Sequence, residues 1–132
     1  DMAAVNPEAY GHVEFHVPPV HDEHLAFTLV GGKTIGAAHG HQKGSPDALS
    51  SWLDGQSSGD APVGQAYAVF FGHFHSLRKW SWGADRWAWV SPAMDNGSGW
   101  FSNLTGKKSR PGVLTVTFDE HGWRDEFVAW AN

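Results

Sequence analysis

The chain has 132 residues, 9 Lys and Arg against 14 Asp and Glu, 8 Trp, 8 Phe, no Cys and a formal net charge of −5. That excludes a nucleic-acid coat held by bulk charge, a disordered acidic chain, which would be poorer in aromatics, and disulfides or thiolate metal sites. No apolar run approaches the roughly 20 residues of a membrane span, so one domain with a modest core and no membrane partner is expected, and the lack of Cys is compatible with a reducing, cytoplasmic setting. Residues 12–17 alternate His-Val-Glu-Phe-His-Val before Pro18-Pro19 and predict a strand. Residues 25–30 and 33–38 flank Gly31-Gly32 and predict a tight hairpin, because glycine takes positive φ cheaply. Ser45-Pro46-Asp47 predicts the start of a short helix, with Ser45 as cap and Pro46 at the first position. The Gly-rich stretch 55–64 reads as a loop, and the unbroken apolar run 67–71 as a strand buried on both faces.

A hairpin is predicted over 77–82 and 87–91. If Trp82 faces Trp87 across it, Trp80 faces Trp89 and all four indoles share one face. Residues 95–112 read as a long loop, and 113–118 with 123–130 as a closing hairpin. The fold class is therefore α/β and sheet-dominated, with helix predicted once. The nine His would carry the net charge from −5 to +4 on full protonation, so function should respond to mild acid.

Two histidine motifs carry the chemistry. Ile35-Gly36-Ala37-Ala38-His39-Gly40-His41 and Tyr67-Ala68-Val69-Phe70-Phe71-Gly72-His73-Phe74-His75 each close an apolar strand. Functional groups gather at the carboxyl ends of strands in open α/β sheets. His-x-His in an extended segment puts two imidazoles on one side, and neutral imidazole ligates Zn, Mn, Fe and Ni. The bland reading is histidines in surface turns. Gly32-Lys33-Thr34 looks like part of a phosphate-binding loop, but Phe27 stands where its first glycine belongs and a strand comes next.

Together the two motifs resemble the last two blocks of the calcineurin-like metallophosphoesterases, a strand ending in His-Gly-His and one ending in Gly-His-x-His. Residues 94–101 and 109–116 look like the tail of small bacterial and phage members. The resemblance implies two divalent ions (Mn, Zn, Fe or Ni), with His39 and His73 ligating one, His75 the other and His41 beside them. Ions so held would lower the pKa of a water that attacks phosphorus. Arg78, Lys79 and Arg86 are candidates for a substrate phosphate, with solvated charge as the bland alternative.

The family's first half supplies Asp-x-His, Gly-Asp-x-x-Asp and Gly-Asn-His blocks. Asp22-Glu23-His24 fits the first by letters but comes after Pro18-Pro19-Val20 and is set aside; Gly59-Asp60 lacks the second Asp. With Asp1-Met2 an odd start, the chain reads as the C-terminal half of a metallophosphoesterase-type β-sandwich flanked by helices, lacking its bridging carboxylate. The expected partners are the upstream N-terminal half, a phosphate ester such as a nucleic acid or nucleotide, and a homo-oligomer through an exposed sheet or the Trp face. Two readings compete with this: a non-catalytic module whose Trp face takes carbohydrate or single-stranded nucleic acid, and a simple His-rich metal-binding domain.

Overall fold

The computed structural model describes residues 5–28, 31–95 and 109–131. A one-turn helix, α1 (Pro7–Tyr10), is capped by the Asn6 side chain, which accepts from the Ala9 N–H at 3.3 Å. The alternating stretch 12–17 after it is not a strand; it is exposed coil. Alternation marks a strand only where a neighbouring strand pairs with it and a face is buried; here no described strand pairs, His16 alone stacks on Phe27 at 5.9 Å, and Val17 is 81% exposed.

β1 (His24–Thr28) and β2 (Thr34–Ala38) form the expected antiparallel hairpin, from His24 opposite Ala38 to Thr28 opposite Thr34. Gly31 and Gly32 take φ of 96° and 78° in its turn. The chain then runs through a 3₁₀ turn, Pro46–Ala48, into α2 (Leu49–Ser58). Pro46 opens the turn as expected, but the Ser45 side chain makes no capping bond. The helix also continues through 55–58, where glycine content predicts a loop, and Pro62–Gln65 adds a second 3₁₀ turn. Leu49 and Leu53, four residues apart and both fully buried, tie α2 to the core and carry it past Gly55 despite the cost of glycine in a helix.

β3 (Ala68–Phe71) is the middle strand of five, in the order β1-β2-β3, then β5 (Trp87–Val90), then β4 (Arg78–Ser81) at the far edge. It runs parallel to both β2 and β5. Residues on the two faces of this sheet pack into two cores. Val69, Phe71, Ala88 and Val90 face α2, while Ile35, Ala68 and Trp89 face the other side. There the separate hairpin of β6 (Gly112–Asp119) and β7 (Gly122–Trp130) contributes Leu114, Val116, Phe118 and Trp123. The result is helix on sheet on hairpin, the layered arrangement that buries both faces of a parallel strand.

The four tryptophans do not share a face. Trp87 pairs with Ser81 and Trp89 with Lys79, so the register is displaced by one residue from the expected one. The cause is a three-residue loop in place of a four-residue one. The Trp82 N–H donates to the Arg86 carbonyl at 2.9 Å, with Gly83 and Asp85 at φ of 65° and 59°. A one-residue slip exchanges faces. Trp80 and Trp82 pack toward α2, Trp87 and Trp89 toward the closing hairpin. The indoles are buried or half-buried, as a core role for them requires. The loop expected at 95–112 lies largely outside the described residues, which exclude 96–108. Among the described residues no helix is long and apolar enough to cross a membrane.

Candidate metal centre

β2 and β3 are adjacent and parallel, with Ala38 opposite Phe71. Both therefore end at the same, carboxyl-terminal end of the sheet, and the loops that leave them, each beginning with histidine and glycine, come together there. The Gly72 N–H donates to the His39 carbonyl at 3.1 Å, extending the ladder one residue past the strands. The rings of His39 and His73 meet edge to face, centroids 4.9 Å apart.

Gly40, at φ 103°, then turns the chain back. An added Cβ there would stand 3.3 Å from the Gly72 carbonyl oxygen, so the close approach of the two loops also favours glycine. The turn returns His41 to the cluster. Its Nδ1 lies 3.2 Å from Nδ1 of His39, and its ring centroid lies 6.4 Å from that of His73. His73 and His75 hold φ of 63° and 53°. Two non-glycine residues in the left-handed region within the six-residue loop between β3 and β4 mark strain of the kind that gathers at functional sites.

Burial lowers the His73 pKa from its ordinary 6.5, and the neighbouring His39, His41 and His75 lower it further. His73 is accordingly neutral at pH 7, the form that ligates a metal.

A residue of the discounted Asp-x-His match stands beside this cluster. Glu23 Oε2 lies 3.3 Å from His41 Nε2 and accepts from Gln42 Nε2 at 3.3 Å, while Gln42 Oε1 accepts from the Gly40 N–H at 3.0 Å. The hairpin explains its position: β1 begins where antiparallel β2 ends, so the residue before His24 lies level with the one after Ala38. Hairpin register is thus the sequence signal for Glu23, and motif spacing carries none.

Arg78 is exposed on the edge strand. The Lys79 ammonium lies 2.9 Å from Glu126 Oε2 and 4.6 Å from the centroid of Trp123, so it joins β4 to the closing hairpin. Arg86 stacks on Trp82 at 4.1 Å and donates to the Gly64 carbonyl at 2.7 Å. That gives it a packing role in place of the expected solvent-facing or phosphate-binding one.

The donors suit a transition metal. Two nitrogens on one tetrahedral zinc stand about 3.3 Å apart, given Zn–N lengths of about 2.0–2.1 Å. The nitrogens of His39 and His41 are at 3.2 Å. The number of donors does not suffice: among the described residues no group of three or more His, Cys, Asp or Glu is placed to hold an ion. The described residues bring imidazoles together without a set of donors placed to hold an ion.

The layered sheet with a helix on one face and a hairpin on the other recurs in solved structures. Vps29 from Entamoeba histolytica, crystallised with Zn²⁺, superposes with a TM-score of 0.57 at 15% identity over 89% of this chain and 64% of that one. Vps29 from Chaetomium thermophilum gives 0.56 at 15% identity, over 83% and 58%. The chain has the metallophosphoesterase-like fold. A predicted phosphoesterase from Streptococcus pneumoniae gives 0.53 at 18% identity, over 88% of this chain and 56% of that one. At such identities the likeness is one of fold, and the chain spans less than two thirds of the length of each of these structures. No protein-family model matches the chain, and no curated protein does.

Proposed function

We propose that residues 1–132 are the C-terminal, histidine-bearing part of a metal-dependent phosphoesterase that hydrolyses phosphodiesters or phosphomonoesters, with its carboxylate ligands supplied by an upstream part. The observation that carries this reading is the meeting of His39, His41 and His73 at the ends of two adjacent parallel strands in a metallophosphoesterase-like fold. In it His39 and His73 serve one divalent ion (Mn, Zn, Fe or Ni) and His75 a second. The chemistry such ions supply is the activation of water toward phosphorus.

This chain's own residues orient and neutralise. Glu23 holds the His41 ring through Nε2 and so fixes the imidazole that stands beside His39. Low proton affinity keeps His73 available. Arg78, three residues after His75, is the cation left for a substrate phosphate, since Glu126 takes up Lys79. The binding-module alternative loses its main support, because the indoles are divided between two cores and form no flat aromatic face.

The test is activity. The chain alone is expected to hydrolyse bis(p-nitrophenyl) phosphate at little above the metal-only rate, because among the described residues no carboxylate is placed to bridge two dications. Addition of the upstream part is expected to restore turnover. Strong hydrolysis by the 132-residue chain alone would overturn the division of ligands.

A further inference from the structure

An open cleft of about 230 Å³ adjoins the histidine cluster. Its walls are His21, Asp22, Glu23, His24, Gln42, Trp52 and Gln56. Glu23 belongs to both places: it lines the cleft and touches His41 at 3.3 Å. The two sites are thus one carboxylate apart.

The lining is unlike that of a phosphate site. Asp22 and Glu23 bring negative charge, and no Lys or Arg stands among the lining residues to offset it for a phosphate. What the cleft offers is a part of the half-buried Trp52 indole, fixed by edge contacts with His24 at 6.2 Å and Phe71 at 5.9 Å, and a ring of polar groups. Gln42 and Glu23 are anchored to each other and to the Gly40 backbone. The Asp22 carboxylate and the Gln56 amide make no side-chain hydrogen bond among the described residues, so both can meet a ligand. An indole surface takes the C–H face of a ring, a carboxylate accepts from adjacent hydroxyls, and an amide both donates and accepts. A hydroxylated ring uses all of these. An organic cation would use the indole and the carboxylates but leave the amide donors without acceptors.

We infer that the cleft binds a sugar ring, and that the substrate of the neighbouring centre is a phosphate ester whose alcohol part is a sugar. This second step rests on the phosphoesterase reading; the first does not. In this arrangement the phosphate lies over the imidazoles and the ring lies against Trp52, with Glu23 at the boundary.

The experiment is a titration of the ¹⁵N-labelled chain, without metal, with ribose, methyl glucopyranoside and choline, following the Trp52 indole N–H resonance, assigned by its loss in Trp52→Phe. Saturable movement of that resonance with at least one of the two sugars and none with choline is expected. Asp22→Asn, a change at an exposed position, is expected to weaken the sugar binding by about tenfold, the worth of one hydrogen bond to a charged group. A resonance that stays still with both sugars, that moves with choline, or that responds alike in Asp22→Asn would overturn the inference. Because neither metal nor phosphate is present, a failed phosphoesterase assignment leaves these readouts unchanged, and a failed sugar site leaves hydrolysis to be judged separately.

Discussion

Replacing Trp89 with Ala is expected to destabilise the chain by about 3–5 kcal/mol, the usual range for a large aromatic removed from a core. That is a large share of the roughly 5–15 kcal/mol typical of a whole domain. Trp89 is fully buried, stacks on Phe70 at 5.1 Å, meets Trp123 and Phe118 edge to face, and donates from Nε1 to Glu126 Oε2 at 2.9 Å. It is therefore the joint between the five-stranded sheet and the closing hairpin. Glu126→Ala is expected to cost about 1–3 kcal/mol, because it leaves a buried indole N–H without its acceptor. Glu126→Gln keeps an acceptor and should cost less. Urea denaturation read by near-UV circular dichroism measures all three, and a Glu126→Ala midpoint equal to the wild type would show that the hairpin is held by packing alone.

The same carboxylate adds a pH dependence. Burial would push the Glu126 pKa up, but the hydrogen bonds from Trp89 and Lys79 and the Lys79 charge outweigh it and hold the value below 4.5. A carboxylate with a depressed pKa in the folded chain stabilises it above the unfolded value. That contribution is lost as pH falls from about 4.5 through the lower folded value. His73 acts in the same direction at higher pH. Its lowered pKa means the folded chain holds fewer protons than the unfolded one, so stability declines as pH falls below 6.5.

The second large effect concerns the metal. Glu23→Gln is expected to lower zinc affinity by about tenfold, the low end for groups outside the ligand set, because Glu23 holds His41, which stands against the ligand His39. The affinity of the wild type should itself fall steeply below about pH 6, because protonated imidazole does not coordinate. A competition assay with a chromogenic chelator at pH 7.5 and pH 5.5 reads both effects. Equal affinity in Glu23→Gln and wild type would reduce the contact between Glu23 and His41 to a surface ion pair.

Much of this architecture is legible in the residues, for identifiable reasons. The run 67–71 stands out because a strand covered on both faces has no polar side, and it is the middle strand. Gly31-Gly32 announces its hairpin because few other residues accept the turn's backbone angles. The histidine pairs are legible because each comes directly after its strand. Their meeting is not, since it depends on β2 and β3 being parallel neighbours, a pairing across a crossover that contains α2. Two expectations fail because local pattern cannot show a partner. Residues 12–17 alternate perfectly and pair with no described strand. The Trp hairpin has a three-residue loop where four residues are expected, and the left-handed Asp85 that closes it carries no strong sequence mark. Glu23 shows the same limit in reverse: it is only the variable position of the discounted Asp-x-His match, yet hairpin register places it level with His39, and the turn at Gly40 brings His41 to it.

The most direct measurement of the central assignment is calorimetric titration of zinc into the wild-type chain, His39→Ala, His73→Ala and His75→Ala at pH 7.5. The account predicts weak binding by the wild type, since the chain provides imidazoles without a completing carboxylate, and a drop of at least about tenfold in His39→Ala and His73→Ala. Affinity unchanged in both variants would remove the cluster from the metal and with it the phosphoesterase reading.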